Sequence, residues 1–273
     1  MLARAAPLVL FGAGKMGGAM LEAWLNRGLD AASVTIIDPG LPVDRAEAWR
    51  KRGVRVFAAV EGPDSEPPRT LVLAVKPQSI DEALAPAARL AGPETLILSV
   101  AAGIRLERLA EGFGATQPII RIMPNTPAQV GAGMSVACAS AAADAGDREL
   151  VDALLAAIGL VDWVEDEDLM DAVTAVSGSG PAYVFLLSEA LARAGQAAGL
   201  PAALAERLAR QTVVGGGALL AASSEPAARL RENVTSPGGT TAAALSVLMG
   251  ENRLQDLLTE AVIAARDRSI ALR

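Results

Sequence analysis

The sequence predicts an α/β chain in two parts: a parallel sheet covered by helices over residues 1–164, then an all-helical part over residues 165–273. Three observations carry this. Apolar runs of strand length alternate with helical patterns from residue 7 to residue 164, and such alternation builds parallel sheets with helices on both faces. The first run leads into a glycine cluster, Gly12-Ala13-Gly14-Lys15-Met16-Gly17, that opens a helix. After Glu165 no strand pattern is left, and Ala- and Leu-rich stretches take over. A length of 273 residues fits about two domains.

Residues 7–11 read as a buried strand and residues 16–25 as a helix, so the glycines stand at a strand-to-helix turn. In G-x-G-x-x-G, Gly12 allows the tight turn, Gly14 lets a pyrophosphate approach the backbone, and Gly17 lets helix and strand pack closely. The helix start adds free N–H groups and the positive end of its dipole. These features predict dinucleotide binding by a Rossmann-type domain, with Ala13, Lys15 and Met16 inside the binding loop. Residues 34–38 form the second strand, ending in Asp38. A carboxylate there accepts ribose hydroxyls and repels a 2′-phosphate, which favours NAD over NADP. Asp38-Pro39-Gly40 is also ordinary turn chemistry, and Arg45 is placed to meet a phosphate, so NADP stays open.

The pattern continues with a helix at 44–52, a strand at 54–57 and a Pro- and acid-rich loop at 61–69. A strong apolar strand at 70–75 closes on Val75-Lys76-Pro77. A helix at 78–90 precedes a strand at 95–100 that ends in Ala101-Ala102-Gly103. A short helix at 104–111 and a strand at 119–123 lead to Pro124-Asn125-Thr126-Pro127. Ligands sit beyond the carboxyl ends of such strands, so these three stretches are expected to rim the cofactor cleft. Residues 134–138 and 160–164 extend the sheet, with a helix at 147–158 between them.

Asp166-Glu167-Asp168 opens the helical part, with acids at the positive end of the dipole. Helices follow at 169–199, interrupted near Pro181, then at 201–223, 227–232 and 242–249. The stretch from Val213 to Leu220 is apolar on more than one face and must be buried, which predicts a homo-oligomer, a dimer or an assembly of dimers, its three glycines letting helices approach closely. A net charge of −7 without a basic run argues against nucleic acid. A single cysteine and no histidine exclude disulfides within the chain, multi-cysteine metal sites and histidine acid–base chemistry. The run after Arg4 is too short for a signal peptide. The uncharged stretch 172–188 falls short of the roughly 20 residues of a membrane span. A cytoplasmic protein without a membrane partner is expected.

The second informative stretch is Ser236-Pro237-Gly238-Gly239-Thr240-Thr241 before the helix at 242–249. Its glycines and hydroxyls form a backbone nest suited to a carboxylate. Ser236 as an N-cap with Pro237 at the first helical position explains the same residues structurally. Both readings stand on the residues alone.

With these stretches in view, the sequence resembles the pyrroline-5-carboxylate reductase family nearly end to end. The likeness is carried by the glycine cluster, Ala74-Val75-Lys76-Pro77, Ser99-Val100-Ala101-Ala102-Gly103 and Arg121-Ile122-Met123-Pro124-Asn125-Thr126-Pro127. It continues in Ser177-Gly178-Ser179-Gly180-Pro181-Ala182-Tyr183 and is most specific in Ser236-Pro237-Gly238-Gly239-Thr240-Thr241. The resemblance implies a Rossmann domain plus an all-α dimerisation domain. It also implies reduction of 1-pyrroline-5-carboxylate to L-proline by NADPH or NADH, the last step of proline biosynthesis. It implies Ser236, Gly239, Thr240 and Thr241 at the substrate carboxylate and ring nitrogen, with Thr241 the hydroxyl near the imine. Val75 and Lys76 become cofactor contacts, and Ala102 and Asn125 the nicotinamide end. The resemblance places the completing loop on the partner subunit.

The residue inventory suits that chemistry. A protonated cyclic imine accepts hydride readily, so orientation of the two reactants is the main demand. A 2-hydroxyacid or prephenate type would need a histidine. A β-hydroxyacid type would need a lysine in the helical part, whereas Lys15, Lys51 and Lys76 all lie in the first half. The short-chain type needs Tyr-x-x-x-Lys, and the sole tyrosine, Tyr183, has Leu187 four positions on. Reduction of a related cyclic imine and a non-catalytic dinucleotide sensor are the alternatives.

Overall fold

The computed structural model of the chain describes residues 2–60 and 66–272. Part of the expected loop at 61–69, residues 61–65, lies outside the described residues. The chain divides into two compact units, one reaching to Gly178 and taking in the stretch from Arg266 onward, the other spanning Ser179–Ala265.

The first unit holds eight strands: β1 (Leu8–Phe11), β2 (Val34–Ile37), β3 (Arg55–Phe57), β4 (Thr70–Leu73), β5 (Leu96–Ser99), β6 (Ile119–Met123), β7 (Gly133–Ala139) and β8 (Gly159–Trp163). Between them run α1 (Lys15–Asn26), α2 (Val43–Lys51), α3 (Ile80–Leu90), α4 (Leu106–Phe113) and α5 (Ala145–Leu155). The sheet order is β3-β2-β1-β4-β5-β6-β7-β8. The central register sets Leu10 against Ile36 on one side and Val72 on the other. Strand order reverses between β1 and β4, which opens a crevice at their carboxyl ends.

Two apolar layers sandwich this sheet. Leu8, Leu10, Ile36, Val72 and Leu98 face one layer with Met20 and Trp24 of α1. Phe11, Ile37, Leu71, Leu73 and Ile97 face the other with Ile80 and Leu84 of α3. The period of two assigns alternate residues to opposite faces, and burial on both sides explains the continuous apolar runs. The buried indole N–H of Trp24 donates to the Leu154 carbonyl at 2.9 Å, which removes the cost of hiding it.

One join departs from a parallel sheet: β7 runs antiparallel to β6. Only a 3-10 turn, Thr126–Val130, connects them, and a parallel return needs a longer crossover.

The first unit runs on to Gly178, past the expected boundary after Val164, for reasons visible in the side chains. Arg121 in β6 is 2% exposed, and its guanidinium donates to Glu167 at 2.8 Å. Glu167 also accepts the Leu106 N–H at 2.8 Å, while Arg105 donates to Asp168 at 2.7 Å. Burying a guanidinium costs heavily without a partner, so these acids stay with the sheet. The short helix α6 (Met170–Val173) and a π-helical turn, Thr174–Gly178, complete this unit. The interruption expected near Pro181 is this π turn, and Pro181 itself falls in the first turn of the next helix, where its missing N–H is harmless.

The second unit comprises α7 (Gly180–Ala197), α8 (Ala202–Ala222), α9 (Ala227–Asn233), α10 (Thr240–Met249) and the start of α11 (Arg253–Ile270), whose end returns to the first unit through a 2.7 Å bond from Ser269 to Asp171. Among the described residues no strand follows β8. α7 packs on α8 where a Cβ at Gly195 would stand 3.3 Å from that of Ala205. Phe185 is 68% exposed, Leu219 63% and Leu257 63%. Gly215, Gly216 and Gly217 have open space beside them, so the close approach expected there is not made within one chain.

Candidate active site

The glycine loop has the shape that its sequence dictates. Gly12 adopts φ +86°, where an L side chain is strained, and a Cβ on it would stand 2.7 Å from the Ala74 carbonyl oxygen. A Cβ on Gly17 would collide with the Gly12 carbonyl. Gly14 is the exposed N-cap of α1 with nothing within 4 Å of a Cβ position. The first and third glycines thus serve packing, and the second faces open space. Beside it the first N–H groups of α1 lack acceptors within the helix. Lys15 is exposed at the first helical position and Met16 is half-buried.

This loop borders a cleft of about 570 Å³ that Asp38, Val75 and Lys76 also line. Pro77 follows Lys76 as the first residue of a 3-10 turn. Asp38 is held tightly. One carboxylate oxygen accepts the Ala13 N–H at 2.8 Å and the other the Gly40 N–H at 2.9 Å. Arg45 instead lies against α1, its Nη2 at 2.9 Å from a Cβ position on Gly18, and borders a separate depression with Glu22 and Trp49.

Part of the cleft lining was not foreseen. Ser79 just before α3 and Glu82, Ala83, Pro86 and Arg89 within it also line the cleft, and the three- and four-residue spacing marks one face of α3. That spacing was the available signal.

Ala102 and Asn125 are not among the residues lining this cleft. Ala102 is half-buried in the turn after β5. The Asn125 amide nitrogen donates to the carbonyl and hydroxyl of Ser177, both at 3.3 Å, and its oxygen accepts the Met134 N–H at 2.9 Å. Its side chain thereby ties the loop after β6 to the π turn.

The second stretch forms a tight turn in the helical unit. Pro237 and Gly238 occupy its centre, Gly238 at φ +69°, and the Gly239 N–H donates to the Ser236 carbonyl at 3.0 Å. Proline then a positive-φ glycine is type II turn chemistry. Helix α10 starts at Thr240 with Gly239 as its cap and no side-chain cap bond. Ser236 is therefore not the N-cap, and Pro237 is not the first helical residue, because the turn closes before the helix begins. Thr240 is exposed and Thr241 half-buried. The N–H groups of this first turn have no acceptor within the helix, and they favour an anion there.

Two family models match the chain, one in each half. Residues 167–272 match the family described as "Pyrroline-5-carboxylate reductase dimerisation". Residues 7–103 match "NADP oxidoreductase coenzyme F420-dependent". A pyrroline-5-carboxylate reductase of Pseudomonas aeruginosa is 39% identical over 272 residues, covering 97% of this chain and 96% of its own. The structure of a pyrroline-5-carboxylate reductase from Coxiella burnetii matches with a TM-score of 0.89 at 32% identity over 98% of both chains. That of a Plasmodium falciparum pyrroline carboxylate reductase with NADP bound matches with a TM-score of 0.81 at 28% identity, again over 98% of both. Similarity of this degree, running through both the glycine loop and the Ser-Pro-Gly-Gly-Thr-Thr turn, means that the chain belongs to the pyrroline-5-carboxylate reductase family.

Proposed function

We infer that the chain carries out the reaction of its family. It is an NAD(P)H-dependent oxidoreductase acting on a C=N bond, and it reduces 1-pyrroline-5-carboxylate to L-proline, the last step of proline biosynthesis. The observation that carries this reading is the combination, in a chain of this family, of an open glycine cradle at Gly14 with a type II turn that ends on free helix N–H groups at Thr240 and Thr241.

A dinucleotide fits the first of these, since side chains are excluded at Gly12 and Gly17 and space is left at Gly14. When bound, NAD(P)H supplies a hydride to the imine carbon. The chain does the rest. The start of α1 holds the pyrophosphate, helped by Lys15 and Met16, and Val75, Lys76 and Pro77 border the dinucleotide. Asp38 stands toward the adenosine ribose. Ala102 and Asn125 serve the nicotinamide end, Asn125 by holding the π turn and not by free amide groups.

Ser236, Gly239, Thr240 and Thr241 hold the substrate carboxylate and orient the ring nitrogen. The imine nitrogen takes up a proton from solvent, and the carbon takes up the hydride, giving the secondary amine. A threonine hydroxyl is too weak an acid to protonate the imine unaided, so the role of Thr241 is to orient the nitrogen. Fixing both reactants in this way is catalysis by proximity.

The division of labour assigns dinucleotide binding to residues 1–164 and substrate binding with dimerisation to residues 165–273. The chain is a homo-oligomer through its helical part, which the exposed apolar side chains of α7, α8 and α11 support. Among the described residues no helix is long and apolar enough to cross a membrane, and a cytoplasmic location belongs to the proposal. The test is a steady-state assay with 1-pyrroline-5-carboxylate and either NADH or NADPH. Stoichiometric formation of L-proline and oxidised cofactor is expected, and the absence of turnover with both cofactors would refute it.

A further inference from the structure

We propose that Asp38 is a positioning residue of the dinucleotide site, holding the glycine loop in the shape that receives the pyrophosphate independently of any contact with the ribose. The inference rests on the reading of the cleft as a dinucleotide site.

The backbone shows why a side chain is needed there. Pairing of β1 with β2 ends at Phe11 and Ile37. The Gly12 N–H still reaches the Ile37 carbonyl at 3.0 Å. Gly12 then turns to φ +86° and takes the loop away from the strand. The next N–H, that of buried Ala13, has no strand carbonyl to meet. Asp38 supplies the acceptor at 2.8 Å. A buried N–H left without one costs free energy, and a carboxylate is a stronger acceptor than a neutral oxygen.

The clamp is itself anchored. The Asp38 N–H donates to the Phe57 carbonyl at 3.0 Å, which ties it to the end of β3. Its second oxygen takes the Gly40 N–H, which fixes the side-chain rotation. Among the described residues Asp38 makes no ion pair. Lys76, Glu82 and Arg89 border the same cleft, and Arg45 lies over Gly18. The carboxylate is therefore committed to backbone N–H groups. Ala13 directly precedes Gly14, so the bond that orients Ala13 also sets the approach to Gly14 and the free N–H groups of α1.

Each oxygen keeps a second lone pair for a ribose hydroxyl, so the two roles separate only with a cofactor that lacks that hydroxyl. The experiment measures binding of NADH and of its 2′,3′-dideoxyadenosine analogue, called the deoxy analogue below, to the full-length wild type, Asp38→Ala and Asp38→Asn, with steady-state kinetics alongside. Asp38→Ala is expected to weaken the deoxy analogue about tenfold or more, the loss of one hydrogen bond to a charged acceptor. It should raise the cofactor KM by a larger factor than it lowers kcat. Asp38→Asn, which keeps an oxygen for Ala13, should recover most of the affinity. Wild-type affinity of Asp38→Ala for the deoxy analogue would overturn the inference and leave Asp38 acting through the ribose alone. If Asp38→Ala does not fold, amide exchange of the wild type decides: Ala13 is expected to exchange slowly without cofactor, and exchange at the rate of an open loop would overturn the clamp. Failure of the wild type to bind either dinucleotide would overturn the reading of the cleft itself and the clamp with it.

Discussion

Thr241 carries the hydroxyl that the proposed reaction needs nearest the imine nitrogen, and it stands in the helical unit, far along the chain from the glycine loop. Replacing it by alanine should leave cofactor affinity close to that of the wild type and lower kcat. Loss of one oriented donor raises the barrier by about 2–4 kcal/mol if the hydroxyl acts in the transition state. Stopped-flow cofactor binding together with steady-state rates checks both halves, and unchanged turnover would remove Thr241 from the mechanism. Asp38 bears on cofactor choice. Asp38→Asn keeps an acceptor for Ala13 and removes the charge, so the ratio of kcat/KM for NADPH over NADH should rise. A well-placed carboxylate discriminates by roughly 1–3 kcal/mol. An unchanged ratio would mean that the charge does not meet the 2′-phosphate. From the sequence, Asp38 was legible as the acid at the end of β2, because that depends on local pattern. Its bond to Ala13 was not, because it depends on how two loops from different strands meet. Ser236 was misread as a possible N-cap for the converse reason: hydroxyl, proline and glycine spell several local structures, and Gly238 at φ +69° selects the turn.

The elements show the same contrast between local pattern and assembly. Strands β1 to β6 fall within one or two residues of their expected positions, since each is an apolar run closed by Gly, Pro or a polar residue. The antiparallel β7 was not legible, because direction depends on the connection and not on the strand's own residues. Helix α11 was also missed. Its apolar positions are broken by Asp256, Glu260 and Arg266, and it starts after Glu251 and Asn252, both at positive φ, without a capping signal. The boundary between the units depends on a charge that composition hides. Arg121 reads as one polar residue in an apolar strand, yet its buried pairing with Glu167 ties the segment after β8 to the sheet. Glu167→Ala would strand that guanidinium and the Leu106 N–H together. A loss of about 3 kcal/mol in urea denaturation is expected for breaking a buried pair. A loss under about 0.5 kcal/mol, the scale of an exposed ion pair, would show that the pair does not hold the segment.

At the scale of the whole molecule, the helical part leaves large apolar side chains on α7, α8 and α11 uncovered within one chain. A second copy covers them in the simplest closed arrangement, a two-fold dimer. Light scattering should give at least the mass of a dimer, and a fully active monomer would contradict this. Which chain supplies the substrate turn to a given dinucleotide is decided by mixing two defective subunits, Gly14→Asp and Thr241→Ala. Partial recovery of activity in the heterodimer is expected if the turn serves the partner's cofactor, whereas inactive heterodimers would keep each site within one chain. The proposed reaction is direct hydride transfer from nicotinamide to the ring carbon of the imine. It is tested most directly by reducing 1-pyrroline-5-carboxylate with NADH that carries deuterium at the transferred C4 position. L-proline bearing one deuterium at C5 is expected, with none lost to solvent. Unlabelled proline, or oxidation of NADH without proline, would contradict it.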